Sequence, residues 1–280
     1  MTLKNVDNHG RNVDKDMGQI EKRDKRALNH LLKQRIRSEV QAILAREFSP
    51  RREDGGLDVD YKADHSIVTK IDLLVSSRIK ELLLPQLPST YTFFSEEDYG
   101  QLNFPAVVLD PIDGTKELVR GIPECTLSLA ILDSPFFEGE GWIYNPFTSF
   151  EIDNLEPFTQ PWARRDRPAL GFVSQSEWDD GLYQQAAQNP DFVLSPRGSM
   201  ANKLFLMAVG ACEFVITKRP KSLWDIAAGC LILNRQGVMF YQGRQLITSL
   251  DQVVYGGEEP LIWVRPECCD QVLGYFNSEK

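Results

Sequence analysis

Between residues 22 and 48 the apolar side chains fall at Leu28, Leu31, Leu32, Ile36, Val40, Ile43 and Leu44, with charged residues between them. That spacing predicts one long amphipathic helix, ended by the stretch from Pro50 to Gly56. A second helical stripe starts near Thr69 and carries Ile71, Leu74, Val75, Ile79 and Leu82. Short apolar runs at 91–94, 106–109, 126–132 and 141–144 predict strands. Residues 151–168, rich in proline and charge, break the pattern and mark a boundary between a unit over 21–155 and another over 168–280. Beyond it the order is strand 170–173, helix 181–188, strand 192–194, helix 199–209, strand 213–217, a helix from about Trp224, and strand 238–241. Such alternation argues α/β layering. Residues 1–20 are polar without periodicity and predict a mobile tail.

The 280 residues can bury a large core, and the 42% hydrophobic content is ordinary for a soluble globular protein. A net charge of −9 argues against a nucleic acid polymer as partner, because phosphate backbones need a basic face. It leaves room for a small anionic substrate, since a bound metal ion inverts the local field. No apolar run is long enough to span a membrane and the N-terminus lacks a signal-peptide core, so no membrane partner and a cytoplasmic location are expected. The five cysteines lack metal-ligand spacing and read as reduced thiols. Three scattered histidines argue against a histidine-built metal site.

The run Val107-Val108-Leu109-Asp110-Pro111-Ile112-Asp113-Gly114-Thr115-Lys116-Glu117 carries the chemistry. Pro111 keeps Asp110 out of the helical region, so the strand is expected to end there. A sharp turn can then bring the Asp110 and Asp113 carboxylates and the Ile112 carbonyl towards one point. Converging oxygens suit a hard cation such as Mg²⁺, which usually shares a phosphate. Gly114 lets the backbone approach a ligand, and free N–H groups after it could hold an anion. The competing reading is a plain loop, because Asp-Pro and Asp-Gly pairs are common turn formers. An aspartyl-phosphate site fits poorly, since its two aspartates sit two apart, and an EF-hand fails for want of evenly spaced ligands.

Further segments fall in order around this run: Ser66-Ile67-Val68-Thr69-Lys70-Ile71-Asp72, Phe94-Ser95-Glu96-Glu97, Gly141-Trp142-Ile143-Tyr144-Asn145-Pro146 and Trp224-Asp225-Ile226-Ala227-Ala228-Gly229. Together with Asp110 to Thr115 they resemble the signatures of the inositol monophosphatase superfamily over roughly residues 60–265. The resemblance implies a five-layer αβαβα sandwich with its site in a cleft between the halves. It also implies a Mg²⁺-dependent, lithium-sensitive phosphomonoesterase using two or three Mg²⁺ ions and an activated water. Glu96, Asp110 and the Ile112 carbonyl would hold the first metal. Asp110, Asp113 and Asp225 would hold the second, and Glu97 would serve a third metal or support its neighbours. Thr115, oriented by Asp72, would position the water, while Gly114, Thr115, Gly198 and Ser199 would meet the substrate.

Local readings compete. Thr69-x-x-Asp72 resembles a capping box, Asp225 is an acid near a helix start, and Ala227-Ala228-Gly229 signals close helix packing. Lys62-Ala63-Asp64-His65-Ser66 and Gly114-Thr115-Lys116-Glu117 resemble the 3'(2'),5'-bisphosphate nucleotidases of the superfamily. Ile67, Leu118 and Ser174-Gln175-Ser176-Glu177 depart from that pattern, the last lacking its arginine and histidine. Lys218, Arg219 and Lys221 would hold a second phosphate, or are solvated surface cations. The implied partner is a small phosphorylated substrate, with a homodimer left open. An inositol monophosphatase, a sugar bisphosphatase and a catalytically inactive ligand-binding regulator are the alternatives.

Overall fold

The computed structural model describes residues 27–48, 59–61, 67–98, 100–155 and 168–278. The N-terminal tail expected over 1–20, the Pro50–Gly56 stop and the Lys62–Ser66 segment lie outside these residues. The first helix, α1 (His30–Glu47), begins later than its apolar stripe predicts. The Asn29 side chain accepts the Leu32 N–H at 3.0 Å and caps it there. Strands β1 (Val59–Tyr61) and β2 (Ile67–Thr69) pair antiparallel and lead into α2 (Lys70–Leu83).

Five strands follow as one sheet: β3 (Thr92–Ser95), β4 (Ala106–Asp113), β5 (Thr126–Ser134), β6 (Glu138–Tyr144) and β7 (Glu151–Asp153), in chain order. A one-turn helix, α3 (Thr115–Val119), interrupts them. The second sheet is built from β8 (Ala169–Ser174), β9 (Phe192–Arg197), β10 (Phe214–Thr217), β12 (Met239–Gln242), β13 (Gln245–Leu246) and β15 (Leu261–Val264). Between these lie α4 (Gln175–Asp179), α5 (Met200–Ala208), the β11 (Lys221–Ser222) and β14 (Val254–Tyr255) pair, and α6 (Leu223–Arg235). Helix α7 (Cys269–Phe276) closes the chain. No described helix is long and apolar enough to cross a membrane.

Strand alternation sorts these elements into layers. In β4, Val107 and Leu109 pack with α1 and α2, while Ala106 and Val108 pack with α5 and α6. In β15, Leu261 and Trp263 face the same α5–α6 layer, and Ile262 and Val264 face α7. Both sheets are therefore apolar on both faces, as a sheet between two helical layers must be. The result is the αβαβα order the sequence resemblance implies. Each large sheet is built from one side of residues 156–167, yet the largest core cluster draws side chains from both halves.

Two expectations need correction. Strand β4 does not end at Asp110 but runs to Asp113. It pairs Asp110 with Ser128 and Asp113 with Thr126, so β4 spends one extra residue there. That bulge accommodates Pro111, which has no N–H to give a ladder. The helix expected over 181–188 is also misplaced: α4 lies before it, and a short 3-10 turn occupies Ala186–Gln188. Gly181, at φ 77°, ends α4, its N–H donating to the Trp178 carbonyl and that of Leu182 to Glu177. Glycine here is a C-terminal stop, not a beginning.

The small residues of α6 are packing residues, as the local reading held. A Cβ on Gly141 of β6 would lie 2.7 Å from the Ala228 carbonyl oxygen and 3.0 Å from Leu231 Cβ. Backbone atoms cannot swing aside, so Gly141→Ala should lower the free energy of unfolding by about 1–3 kcal/mol. Urea denaturation measures this, and an unchanged midpoint would show that sheet and helix are not in such contact.

Candidate active site

Strands β8, β9 and β10 run parallel, and their carboxyl ends bring Ser174, Arg197 and the segment after Thr217 to one edge. In such sheets the crevice beyond the strand ends is the usual ligand site. Here it meets the bulged end of β4 and the start of α3. The cleft between them has a volume of about 370 Å³ and is floored by Asp110, Asp113 and Asp225.

One oxygen from each of these three carboxylates lies within 4.8 Å of the others. Local turns secure Asp110 and Asp225, and the start of α5 secures Asp113. The Asp110 Oδ1 accepts the Ile112 N–H at 3.0 Å across the proline turn. Asp113 Oδ2 accepts the Ser199 hydroxyl at 2.8 Å and the Ala201 N–H at the start of α5. Asp225 Oδ2 accepts the Ser222 N–H at 3.0 Å in a capping box. Ser128 fixes the start of α6 from β5, donating to the Trp224 carbonyl at 3.0 Å. Glu96 and Ile112 line the same cleft, although Glu96 is not part of the close triad. Glu97 is half-buried beside Glu96 and does not line it.

Crowding shows in the acidities. Burial, then the charges of Glu96, Asp113 and Asp225, hold the Asp110 carboxyl well above the usual carboxylate range. Asp113 is raised chiefly by burial, and Asp225 is pushed up to about 7 by burial and by Asp113. Neutralisation by a hard cation relieves both costs, and the all-oxygen donor set fits one. No sulfur or imidazole competes in the triad.

Thr115 and Asp72 meet as expected. The Thr115 hydroxyl lies 3.1 Å from Asp72 Oδ1 and 3.1 Å from the Ile112 carbonyl, and its single proton can go to either. Asp72 Oδ2 meanwhile accepts from the Thr69 N–H at 2.8 Å and from the Thr69 hydroxyl. The capping box and the contact to Thr115 thus coexist on one carboxylate. Burial pushes Asp72 up to about 6. Gly114 takes φ 98°, and a Cβ there would stand 2.8 Å from the Glu124 carbonyl oxygen. Only glycine fits both conditions.

Above the acidic floor the walls carry five cations, Lys116, Arg120, Arg197, Lys203 and Lys221, beside the carboxylates Glu117 and Asp179. Of these the sequence assigned a phosphate only to Lys221, and Lys116 entered only as part of the Gly-Thr-Lys-Glu resemblance. Lys203 is a lone cation in the apolar run of α5, 2% exposed, its Nζ donating to the Ser199 carbonyl at 2.8 Å. Burial pulls it down to about 8, Lys221 adding to the effect and Asp113 opposing it. Arg197 could have been found as a cation at the carboxyl end of a parallel strand. Of the other expected contacts, Gly198 and Ser199 line the cleft, but the Gly198 N–H is given to Glu124 Oε2 at 2.7 Å and the Ser199 hydroxyl to Asp113. Lys218 is not brought to the cleft. Its ammonium lies over the Tyr183 ring and donates to the Leu182 carbonyl at 2.9 Å, and Arg219 pairs with Asp180.

A pH dependence follows. Asp225 binds a proton more tightly in the folded chain, at about 7, than at its ordinary 3.8. Its ionisation therefore costs stability, a cost absent below the ordinary value and complete above the raised one. In metal-free protein, Asp225→Asn, which keeps the capping oxygen, should raise stability over the native chain by a margin that grows from about pH 4 to about pH 7 and then levels off. Urea unfolding across that range tests this, and a pH-independent margin would contradict it.

The profile of the Inositol monophosphatase family matches residues 27–262. The chain is 28% identical over 207 residues to the 3'(2'),5'-bisphosphate nucleotidase CysQ of Escherichia coli K12, covering 68% of this chain and 82% of that one. It is 30% identical over 227 residues to the histidinol-phosphatase of Mycobacterium tuberculosis, covering 72% and 83% respectively. Among solved structures, the suhB protein of Bartonella henselae superposes with a TM-score of 0.69 at 18% identity, covering 89% of this chain and 98% of that one. A Thermotoga maritima IMPase does so at 0.64 and 21% identity, over 85% and 92%. The bulged β4 with its converging carboxylates, the layer order and the extent of the family match agree: the chain belongs to the inositol monophosphatase family.

Proposed function

We propose that this chain is a Mg²⁺-dependent, lithium-sensitive phosphomonoesterase whose preferred substrates are 3'(2'),5'-bisphosphate nucleotides. The observation that carries the reading is a carboxylate triad, Asp110 buried and Asp113 and Asp225 half-buried, in a cleft that five cations also line, which suits a cation-bound ester with more negative charge than one phosphate supplies. Mg²⁺ held by Glu96, Asp110, the Ile112 carbonyl, Asp113 and Asp225, with Asp110 shared, would neutralise phosphoryl charge and acidify the attacking water. Glu97 stands next to this set and is the candidate for a third ion.

The chain's own residues orient the reaction. With Oδ2 saturated by Thr69, Asp72 offers Oδ1 to Thr115. When the Thr115 proton points to Asp72 or to the Ile112 carbonyl, its lone pairs remain to accept from a water. A water held so turns its own lone pair away from Thr115, towards a phosphate seated against Gly114 and Thr115. Threonine is a poor base, so its part is positioning. Lys221 and Lys203 add positive charge beside Asp225 and Asp113.

A histidinol phosphatase reading, suggested by one relative, would set the substrate's ammonium group against Glu117 or Asp179 and leaves the five cations to a single phosphate. An inositol 1-phosphatase leaves most of the wall cations without a partner. Phosphate release with Mg²⁺ from 3'-phosphoadenosine 5'-phosphate, inositol 1-phosphate, fructose 1,6-bisphosphate and histidinol phosphate distinguishes these. Preference for the first supports the proposal, and preference for inositol 1-phosphate or histidinol phosphate overturns the substrate assignment.

Asp110→Asn and Asp113→Asn should each lower kcat by more than about a hundredfold, as loss of a preorganised charge does. Mg²⁺ binding by calorimetry should weaken in parallel. Native Mg²⁺ affinity in either variant would mean that the two carboxylates only shape the turn.

A further inference from the structure

Bases are held by stacking on aromatic rings or on guanidinium planes, and this cleft offers only the second kind, which tolerates any base. No aromatic side chain is among the described residues lining this cleft, and Ile112 and Met200 are its large apolar residues. The position where the nucleotidase resemblance calls for histidine holds Glu177, which is fully buried and turned away. Glu177 accepts from the Tyr183 hydroxyl at 2.6 Å, the Thr217 hydroxyl, and the N–H groups of Lys218 and Arg219, each at 3.1 Å. It fixes the segment leading to Lys221 and lends no surface to a ligand.

Arg197 is placed differently. Its side chain is 41% exposed at the carboxyl end of β9, and Nη1 is tethered 3.2 Å from Glu124 Oε1. One face of the guanidinium is taken by the Phe172 ring, 5.5 Å away, and Nε is buried without an acceptor, out of a ligand's reach. Tether and ring fix the fork in place, and its terminal Nη groups keep N–H donors beyond the one given to Glu124, in a geometry that matches phosphate. Lys116 and Arg120, both exposed, line the same cleft from α3.

We infer that the cleft recognises its substrate by a second anionic group and not by a base. Arg197, oriented by Glu124, takes the distal phosphate of a bisphosphorylated ester, and the moiety between the two phosphates has no dedicated pocket. The inference rests on the phosphomonoesterase reading and narrows it to compact bisphosphates of any base.

Initial rates with Mg²⁺ on the 3',5'-bisphosphates of adenosine and uridine, and on adenosine 3'-monophosphate, test it. The two bisphosphates should have comparable kcat/KM, and loss of the 5'-phosphate should raise KM about tenfold or more, the effect of one charge-assisted contact. Arg197→Gln should raise KM for the bisphosphates about tenfold more than for the monophosphate, with kcat little moved, and Arg197→Lys should fall between. A preference for adenine over uracil of about tenfold would overturn the inference, since stacking has that size. So would an equal effect of Arg197→Gln on mono- and bisphosphates. If nucleotides are not hydrolysed but sugar phosphates are, the nucleotidase assignment falls. The same comparison on fructose 1,6-bisphosphate and fructose 1-phosphate then decides the role of Arg197. If nothing turns over, the phosphatase reading falls, and calorimetric binding of the same pairs to native and Arg197→Gln protein decides it.

Discussion

Three carboxylate oxygens held within 4.8 Å of one another are the constraint around which the rest of this structure is arranged. At that separation each ionised pair repels by on the order of 3–4 kcal/mol at an effective dielectric of about 20. The fold bears this because each carboxylate has its own backbone donor: Ile112 for Asp110, Ala201 for Asp113 and Ser222 for Asp225. Asp72, close behind, is held the same way by Thr69. Placement therefore precedes any cation, and the stored repulsion is released when one binds.

The same bonds join the two halves of the chain. Asp113 belongs to β4 and is gripped by the start of α5, while Glu124 reaches from the loop after α3 to Gly198 and Arg197. Ser128 of β5 holds the first turn of α6. The shared core of α5 and α6 between the sheets keeps these contacts in register. Each half thus supplies both carboxylates and cations to the cleft: Asp110, Asp113, Lys116 and Arg120 from the first, Asp225, Arg197, Lys203 and Lys221 from the second.

Much of this was legible in the sequence because it is local. Asp110-Pro111-Ile112-Asp113-Gly114-Thr115 encodes a turn and a left-handed glycine within six residues, but not the bulge: proline reads as a strand end, and only pairing with β5 carries the strand on to Asp113. Periodicity found α1 and α2 because apolar stripes at helical spacing bury the same way in any fold. Misreadings arose where one residue type has two uses. Gly181 can precede a helix or end one, and the hydrogen bonds back to Trp178 and Glu177 decide for the end. Lys218 and Lys221 are indistinguishable by spacing, but the strand turn points one at Tyr183 and the other into the cleft. Lys203 and Arg197 were missed because their roles depend on which strand and helix ends the topology brings together.

The central claim is that Asp110, Asp113 and Asp225 form a divalent cation site. Crystals soaked in Mn²⁺, a substitute for Mg²⁺ with an anomalous signal, test it without reference to activity. The account predicts anomalous density between these three carboxylates, with a second peak towards Glu96 and the Ile112 carbonyl. Density confined to other surface acids, with the triad empty at saturating Mn²⁺, would contradict it.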